Sequence, residues 1–123
     1  MVKQPLKQLY HCVFRLQYHL VLVTEYRRKC ITASMLGRLE DITRSTVAKW
    51  GGQVLEFNGE ADHVHILLEL TPRMAPSALV NKLKTVTSRL IRKAFAAHLR
   101  KFYRRKPVFW SRSYCITTVG GPR

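Results

Sequence analysis

Two histidines separated by one residue are the side chains of this sequence best suited to chemistry. His63 and His65 flank Val64, and residues at i and i+2 of a β-strand point to the same side of a sheet. The rise per residue of a strand places them about 7 Å apart along it. Neutral imidazole is a common ligand of divalent metal ions, so the pair can converge on one cation.

The same spacing has a simpler interpretation. Histidines at i and i+2 also occur by chance, as half-exposed strand residues that bind nothing. Two ligands do not complete a metal site either. The neighbouring carboxylates of Glu60 and Asp62 are candidates for completing it, although carboxylates in turns are usually only solvated. Spacing alone leaves both interpretations open.

The charge of the chain favours a polyanionic partner. Its 123 residues include 22 Lys and Arg against 7 Asp and Glu, a formal net charge of +15. Such an excess exceeds what solubility requires and suits nucleic acid first, or an anionic membrane second.

A membrane partner and a secreted location are not expected. No apolar run approaches the roughly 20 residues of a membrane span, and residues 1–8 lack the pattern of a signal peptide. The cysteines Cys12, Cys30 and Cys115 form neither a disulfide framework nor a zinc pattern. We therefore expect a cytoplasmic protein with reduced thiols.

The hydrophobic pattern divides the chain into six elements. Four stretches have the composition of strands: residues 18–24, 53–58, 63–70 and 113–119. Two stretches have apolar residues at helical spacing, residues 34–50 after an N-cap at Ser34, and Pro76 to about residue 97.

The order β-α-β-β-α-β predicts an α+β fold of the ferredoxin-like class. Its antiparallel four-stranded sheet carries both helices on one face, and residues 1–123 form one domain. In the third strand Val64, Ile66 and Leu68 alternate with the histidines and must face the helices. We therefore expect both histidines on the open face.

The basic residues form a strip along the second helix and the segment after it. We predict that part of this strip, together with two arginines after the first strand, contacts the DNA or RNA backbone. The predicted contacts are Arg27, Arg28, Lys82, Lys84, Arg89, Arg92, Arg104 and Arg105. Residues 100–106 are expected to form a basic loop, in which Phe102 and Tyr103 either stack on unpaired bases or close the helix onto the sheet.

Several segments together resemble the single-tyrosine HUH transposases of small bacterial insertion sequences, the insertion-sequence-200-like group. They occur in the family's order and at its spacing, across nearly the whole chain. They are residues 18–28, 62–68, 82–84, 88–89, 109–115 and 118–121.

The resemblance implies a function. Members of this family bind single-stranded or hairpin DNA at element ends, and they cleave and rejoin it through a 5′-phosphotyrosine. It implies that His63 and His65 hold a divalent ion, Mg²⁺ or Mn²⁺, which polarises the scissile phosphate. It also implies a homodimer that forms by sheet pairing, with each active site taking its tyrosine from the partner chain.

The sequence departs from the family pattern at its end. The family continues after Gly120-Gly121 into a helix with a Tyr-x-x-x-Gln signature, whereas this sequence stops at Arg123. Tyr103 and Tyr114 do not match the nucleophile, so we expect it to be absent from this chain. The alternatives are a non-catalytic DNA- or RNA-binding module, a regulator of a full-length transposase, or a ferredoxin-like RNA-binding domain.

Overall fold

The computed structural model describes residues 15–120 of the chain. Within that range lie four strands and three helices: β1 (Leu16–Thr24), α1 (Ala33–Lys49), β2 (Gln53–Gly59), β3 (His63–Leu70), α2 (Pro76–Ala94), α3 (Ala96–Tyr103) and β4 (Trp110–Thr118). A tight turn at Glu25–Arg27 follows β1. The predicted order of elements is confirmed, and α3 is an addition to it.

The four strands form one antiparallel sheet in the order β2-β3-β1-β4. This is the strand order of the ferredoxin-like fold, which confirms the predicted class. One hydrophobic core lies between sheet and helices, where Met35 of α1 and Leu83 of α2 join Leu20 and Ile66 of the central strands. On the other face of the sheet, residues 15–120 place no helix.

Strict alternation fixes the orientation of β3. Val64, Ile66, Leu68 and Leu70 are each no more than 1% exposed, and the residues between them are half-buried. Burying each such side chain contributes about 1.5–3 kcal/mol. A shift of one residue would turn all four to solvent, so the register is strongly determined.

Two helix boundaries differ from the predicted ones. Thr32, not Ser34, caps α1, because its side chain accepts a hydrogen bond of 3.2 Å from the Met35 backbone. The second helix ends at Ala94 instead of near residue 97, since Phe95 leaves the helical conformation with φ −123° and ψ 36°.

The predicted basic loop at residues 100–106 is wrong in its first half. The chain resumes as α3, whose buried residues Leu99 and Tyr103 lie four positions apart on one face. The helix ends at Tyr103, and its C-cap residue Arg104 has a φ of +56°. The basic residues that follow therefore leave the end of a helix that is packed into the core.

The last strand begins three residues earlier than predicted, at Trp110. The Trp110 indole is buried and donates a 2.8 Å hydrogen bond to the Thr87 hydroxyl of α2. This buried bond ties the start of β4 to the helical layer. None of the helices described between residues 15 and 120 is long and apolar enough to cross a membrane.

Candidate functional site

His63 and His65 lie on the face of the sheet opposite α1 and α2. Both are half-buried, and Val64 between them faces the core. The register places His65 opposite Val21 of β1 and Asn58 of β2. The expectation that both imidazoles share the uncovered face is therefore confirmed.

A carboxylate orients His63. The Nδ1 atom of His63 lies 2.9 Å from Oδ1 of Asp62. The hydrogen bond with His63 is the main cause that lowers the pKa of Asp62, and the charge of Arg27 adds to it. An ionised carboxylate only accepts hydrogen bonds, so Nδ1 is the donor, and the neutral form of the ring then offers the lone pair of Nε2 to a metal ion.

A third histidine supports His65. The ring of His19 on β1 stacks on the ring of His65, with centroids 4.7 Å apart and an angle of 16° between the planes. The Nδ1 atom of His19 is buried and has no hydrogen-bond partner among the described residues. The stack restricts the rotation of His65. We call His19, Asp62, His63 and His65 the histidine site.

The donor atoms of this site fit a divalent ion with open coordination positions. Within residues 15–120, no three His, Cys, Asp or Glu side chains are arranged to hold a metal ion together. The carboxylate of Asp62, which the sequence offered as a candidate metal ligand, instead forms a hydrogen bond with His63. Two imidazole nitrogens suit an ion that takes mixed nitrogen and oxygen ligands, and they leave room for phosphate oxygens and water.

A groove of about 540 Å³ gives access to the two histidines. It is open to solvent and lies at the β2 edge of the sheet, where its lining includes Asn58, Glu60 and Leu36 of α1. The histidines are therefore reachable by an extended polymer.

The predicted cationic contacts fall into separate places. Arg27 and Arg28 are exposed beside the histidine site, and Arg27 Nε lies 3.9 Å from Asp62 Oδ2. On α2, Lys82 and Arg89 are exposed and seven residues apart, which places them on one side of the helix.

Lys84 is the exception on α2. Its ammonium donates a 3.0 Å hydrogen bond to the Arg112 carbonyl and lies 5.4 Å from the centre of the Tyr114 ring. Burial lowers the pKa of Lys84. These contacts make Lys84 a residue that joins α2 to β4, with less freedom to follow a phosphate.

The structure brings three of the predicted contacts together at the end of α3. Arg92, Arg104 and Arg105 line a cleft of about 230 Å³. Two further cations line the same cleft, Arg100 and Lys106, and no acidic residue does. We call these five residues the cationic cleft.

Comparison with known proteins identifies a family for this chain. Residues 12–123 match the family described as "Transposase IS200 like". The chain belongs to the IS200-like transposase family.

Two curated relatives cover most of the IS200-like chain. It is 34% identical to the ISDra2 transposase TnpA of Deinococcus radiodurans, over 87% of this chain and 75% of that protein. It is 32% identical to the transposase of insertion sequence element IS200 from Salmonella typhimurium, over 93% of this chain and 74% of that protein.

Two solved structures have the same fold. A protein from Deinococcus radiodurans, described as a transposase, superposes with a TM-score of 0.79 at 30% identity, covering 98% of this chain and 87% of that one. A REP-associated tyrosine transposase, solved bound to a REP hairpin, superposes with a TM-score of 0.59 over 87% of this chain and 58% of that one. Its identity of 9% shows the fold alone.

The fold determines the surroundings of Tyr103 and Tyr114 in the IS200-like chain. Tyr103 is buried and donates a 2.8 Å hydrogen bond to the Glu25 carbonyl, and burial strongly raises its pKa. It packs and does not stack on bases. Phe102 is half-buried against His98. Tyr114 faces the helical side of the sheet, since it pairs with Leu22.

Sequence reasoning did not assign roles to His19 and Asn58. The alternation of β1 places His19, Val21 and Val23 on one face, which was the available signal. Their closeness to His65 depends on the pairing of β1 and β2 with β3, which no single segment encodes. Residues 121–123, where the family's tyrosine helix was expected to begin, lie outside the described residues.

Proposed function

We propose that this chain binds single-stranded or hairpin DNA at insertion-sequence ends and serves its metal-dependent cleavage and rejoining. The observation that supports this proposal most is the pair His63 and His65 on the open face of the sheet. Asp62 is hydrogen-bonded to His63. A Mg²⁺ or Mn²⁺ ion held by these histidines supplies positive charge that stabilises the oxygens of a scissile phosphate.

The other residues of the proposed site bind and orient. Asp62 fixes the tautomer of His63, and His19 restrains the ring of His65. Arg27 and Arg28 attract the DNA backbone beside the histidines. The remaining contacts that we propose are the exposed cations of α2 and the cationic cleft, with Lys84 as the most constrained of them.

The proposed covalent step needs a tyrosine other than Tyr103 and Tyr114. The chain spans about three quarters of the length of its curated relatives. We propose the 5′-phosphotyrosine step for a form that carries the family's tyrosine helix. Pairing of two copies through their sheets is part of the same proposal.

A metal-binding experiment tests the site without requiring catalysis. Mn²⁺ titration followed by electron paramagnetic resonance is expected to show binding by the wild type and none by His63→Ala/His65→Ala. His98→Asn is the matched control, since His98 bonds the Cys30 carbonyl away from the site, and it should bind Mn²⁺ normally. Equal Mn²⁺ binding by all three proteins would contradict the proposed ligands.

The alternative of a non-catalytic binding module gives a different result. It predicts that the wild type binds a labelled hairpin oligonucleotide without Mn²⁺ affinity, and that the double variant binds the oligonucleotide equally well. A form extended past Arg123 by the tyrosine helix then separates the two functions. The transposase function requires a metal-dependent covalent adduct with that form, and DNA binding without an adduct would exclude it.

A further inference from the structure

The most exposed large hydrophobic side chain between residues 15 and 120 is an aromatic one beside the histidine site. Tyr26 is 60% exposed, compared with 40% for Leu16 and 37% for Trp50. It lies in the turn directly after β1. Burying a ring of this size would be favourable, so its exposure calls for an explanation.

The backbone of this turn is strained. Tyr26 and Arg27 both adopt the left-handed region, with φ of +59° and +54°. That region costs a residue with a side chain roughly 1–2 kcal/mol. Such conformations persist where the surrounding structure enforces them, and they concentrate at functional sites.

Hydrogen bonds fasten the turn to the residue that orients His63. The Thr24 hydroxyl lies 2.7 Å from the Arg28 carbonyl and 3.2 Å from the Asp62 carbonyl, and the Thr24 amide donates to Asp62 at 3.0 Å. Arg27 approaches the carboxylate of the same Asp62. These contacts connect the Tyr26 turn directly to Asp62 of the histidine site.

Two cations lie close to the exposed Tyr26 ring. The Lys106 ammonium donates a 3.0 Å hydrogen bond to the Tyr26 hydroxyl and is 5.2 Å from the ring centre, so it lies towards the hydroxyl end of the ring. The Arg28 guanidinium is 5.7 Å from the ring centre. An exposed aromatic ring with cations this close can combine base stacking with phosphate attraction.

We infer that the Tyr26 ring is a stacking platform for one unpaired base of single-stranded DNA whose backbone passes the histidine site. The inference rests on the proposed function and adds a binding residue to it. Arg27, Arg28 and Lys106 would then hold the phosphates on either side of the stacked base. A duplex, whose bases are already stacked, would gain nothing from Tyr26.

Fluorescence anisotropy with a labelled oligothymidylate tests the inference. A length of about 12 nucleotides lies within the usual site sizes of single-strand-binding proteins. Tyr26→Ala is expected to weaken binding about 5- to 160-fold, the range that corresponds to removing one base–aromatic stack. Tyr26→Phe should bind like the wild type, because it keeps the ring. Tyr26→Asn, which tolerates the left-handed region, should lose as much as Tyr26→Ala.

Two further measurements separate stacking from charge and from folding. The salt dependence of affinity should stay unchanged in Tyr26→Ala and become shallower in Arg27→Gln/Arg28→Gln. Ultraviolet crosslinking of bromodeoxyuridine-substituted oligonucleotide to the wild type should modify Tyr26, which requires no variant to fold.

The outcomes distinguish this inference from the proposed function. If Tyr26→Ala and Tyr26→Asn bind the oligonucleotide like the wild type and no crosslink maps to Tyr26, the platform is wrong while DNA binding stands. If the wild type itself fails to bind the oligonucleotide, the DNA-binding function fails and the platform with it. An equal loss in duplex binding for Tyr26→Ala would also overturn the inference.

Discussion

The histidine site and the cationic cleft hold their side chains in two different ways. At the histidine site each ring is held by a specific neighbour, His63 by Asp62 and His65 by His19. In the cationic cleft Arg104 and Arg105 are exposed, and the cleft is lined by cations without an acidic partner. The first region fixes the positions of a few atoms, whereas the second supplies charge.

This difference follows from the elements that carry each region. Two central strands position the histidines, and their register is fixed by buried side chains on the opposite face. The cleft lies where α3 ends and the chain turns at Arg104. Side chains at such a position keep their rotamer freedom, which suits contact with phosphates of any sequence.

The largest expected effect comes from removing charge from the cleft. Arg104→Gln/Arg105→Gln should weaken binding of a single-stranded oligonucleotide on the order of tenfold at 0.1 M salt, because two phosphate contacts are lost. The slope of log affinity against log salt should become shallower by about 1.4. Anisotropy titrations at several salt concentrations measure both quantities.

A double variant of equal charge serves as the control. Arg38 and Lys49 are exposed on α1, so Arg38→Gln/Lys49→Gln changes the net charge equally away from the cleft. Its affinity and salt slope should stay near those of the wild type. Identical losses in the two double variants would mean that net charge acts without a localised cleft.

A smaller effect is expected from His19. His19→Ala removes the ring that stacks on His65 and should weaken Mn²⁺ binding by about 0.5–1.5 kcal/mol, the usual contribution of an aromatic pair. His19→Phe keeps a ring at this position and should retain most of the Mn²⁺ affinity. Calorimetric titration with Mn²⁺ measures the difference.

Oligonucleotide affinity in the absence of metal should not change in either His19 variant. A loss of Mn²⁺ affinity in His19→Phe as large as in His19→Ala would show that a ring nitrogen of His19, and not its stacking, supports the site. That result would mean that His19 contributes to Mn²⁺ binding through a polar atom. The contrast between the histidine site and the cationic cleft would then be stronger.

The sequence was most informative where a local pattern is compatible with only one orientation of an element. The alternation from His63 to Leu70 predicted the bounds of β3 and the face of both histidines, because only one orientation buries four aliphatic residues. The helix break at Phe95 was not predictable in this way, since apolar residues continue at helical spacing through Leu99 and Tyr103.

The contacts between elements could not be read from local patterns. The stack of His19 on His65 depends on the register that pairs Val21 with His65. The conformation of Tyr26 is rare for a bulky residue, so no propensity would indicate it. The composition of the cationic cleft was partly predictable from charge, but the bend that gathers its residues was not.

The smallest expected effect concerns the bond that connects the two regions. The Tyr103 hydroxyl, on the helix that leads into the cleft, donates to the Glu25 carbonyl in the turn beside the histidine site. Tyr103→Phe removes this donor and should lower the free energy of unfolding by about 1 kcal/mol at neutral pH. Urea unfolding followed by circular dichroism measures it.

The same bond gives a pH dependence of known sign. Burial raises the pKa of Tyr103 above its ordinary 10.0, and burial also raises that of the Cys30 thiol above 9.0. A group whose folded pKa is raised stabilises the fold fully below its unfolded pKa and loses that contribution as pH rises through the folded pKa. Wild-type stability should therefore decline above about pH 10 more steeply than that of Tyr103→Phe, which keeps the contribution of Cys30 but has lost that of Tyr103. Parallel declines in the two proteins would show that the Tyr103 phenol is not what links α3 to the turn at alkaline pH.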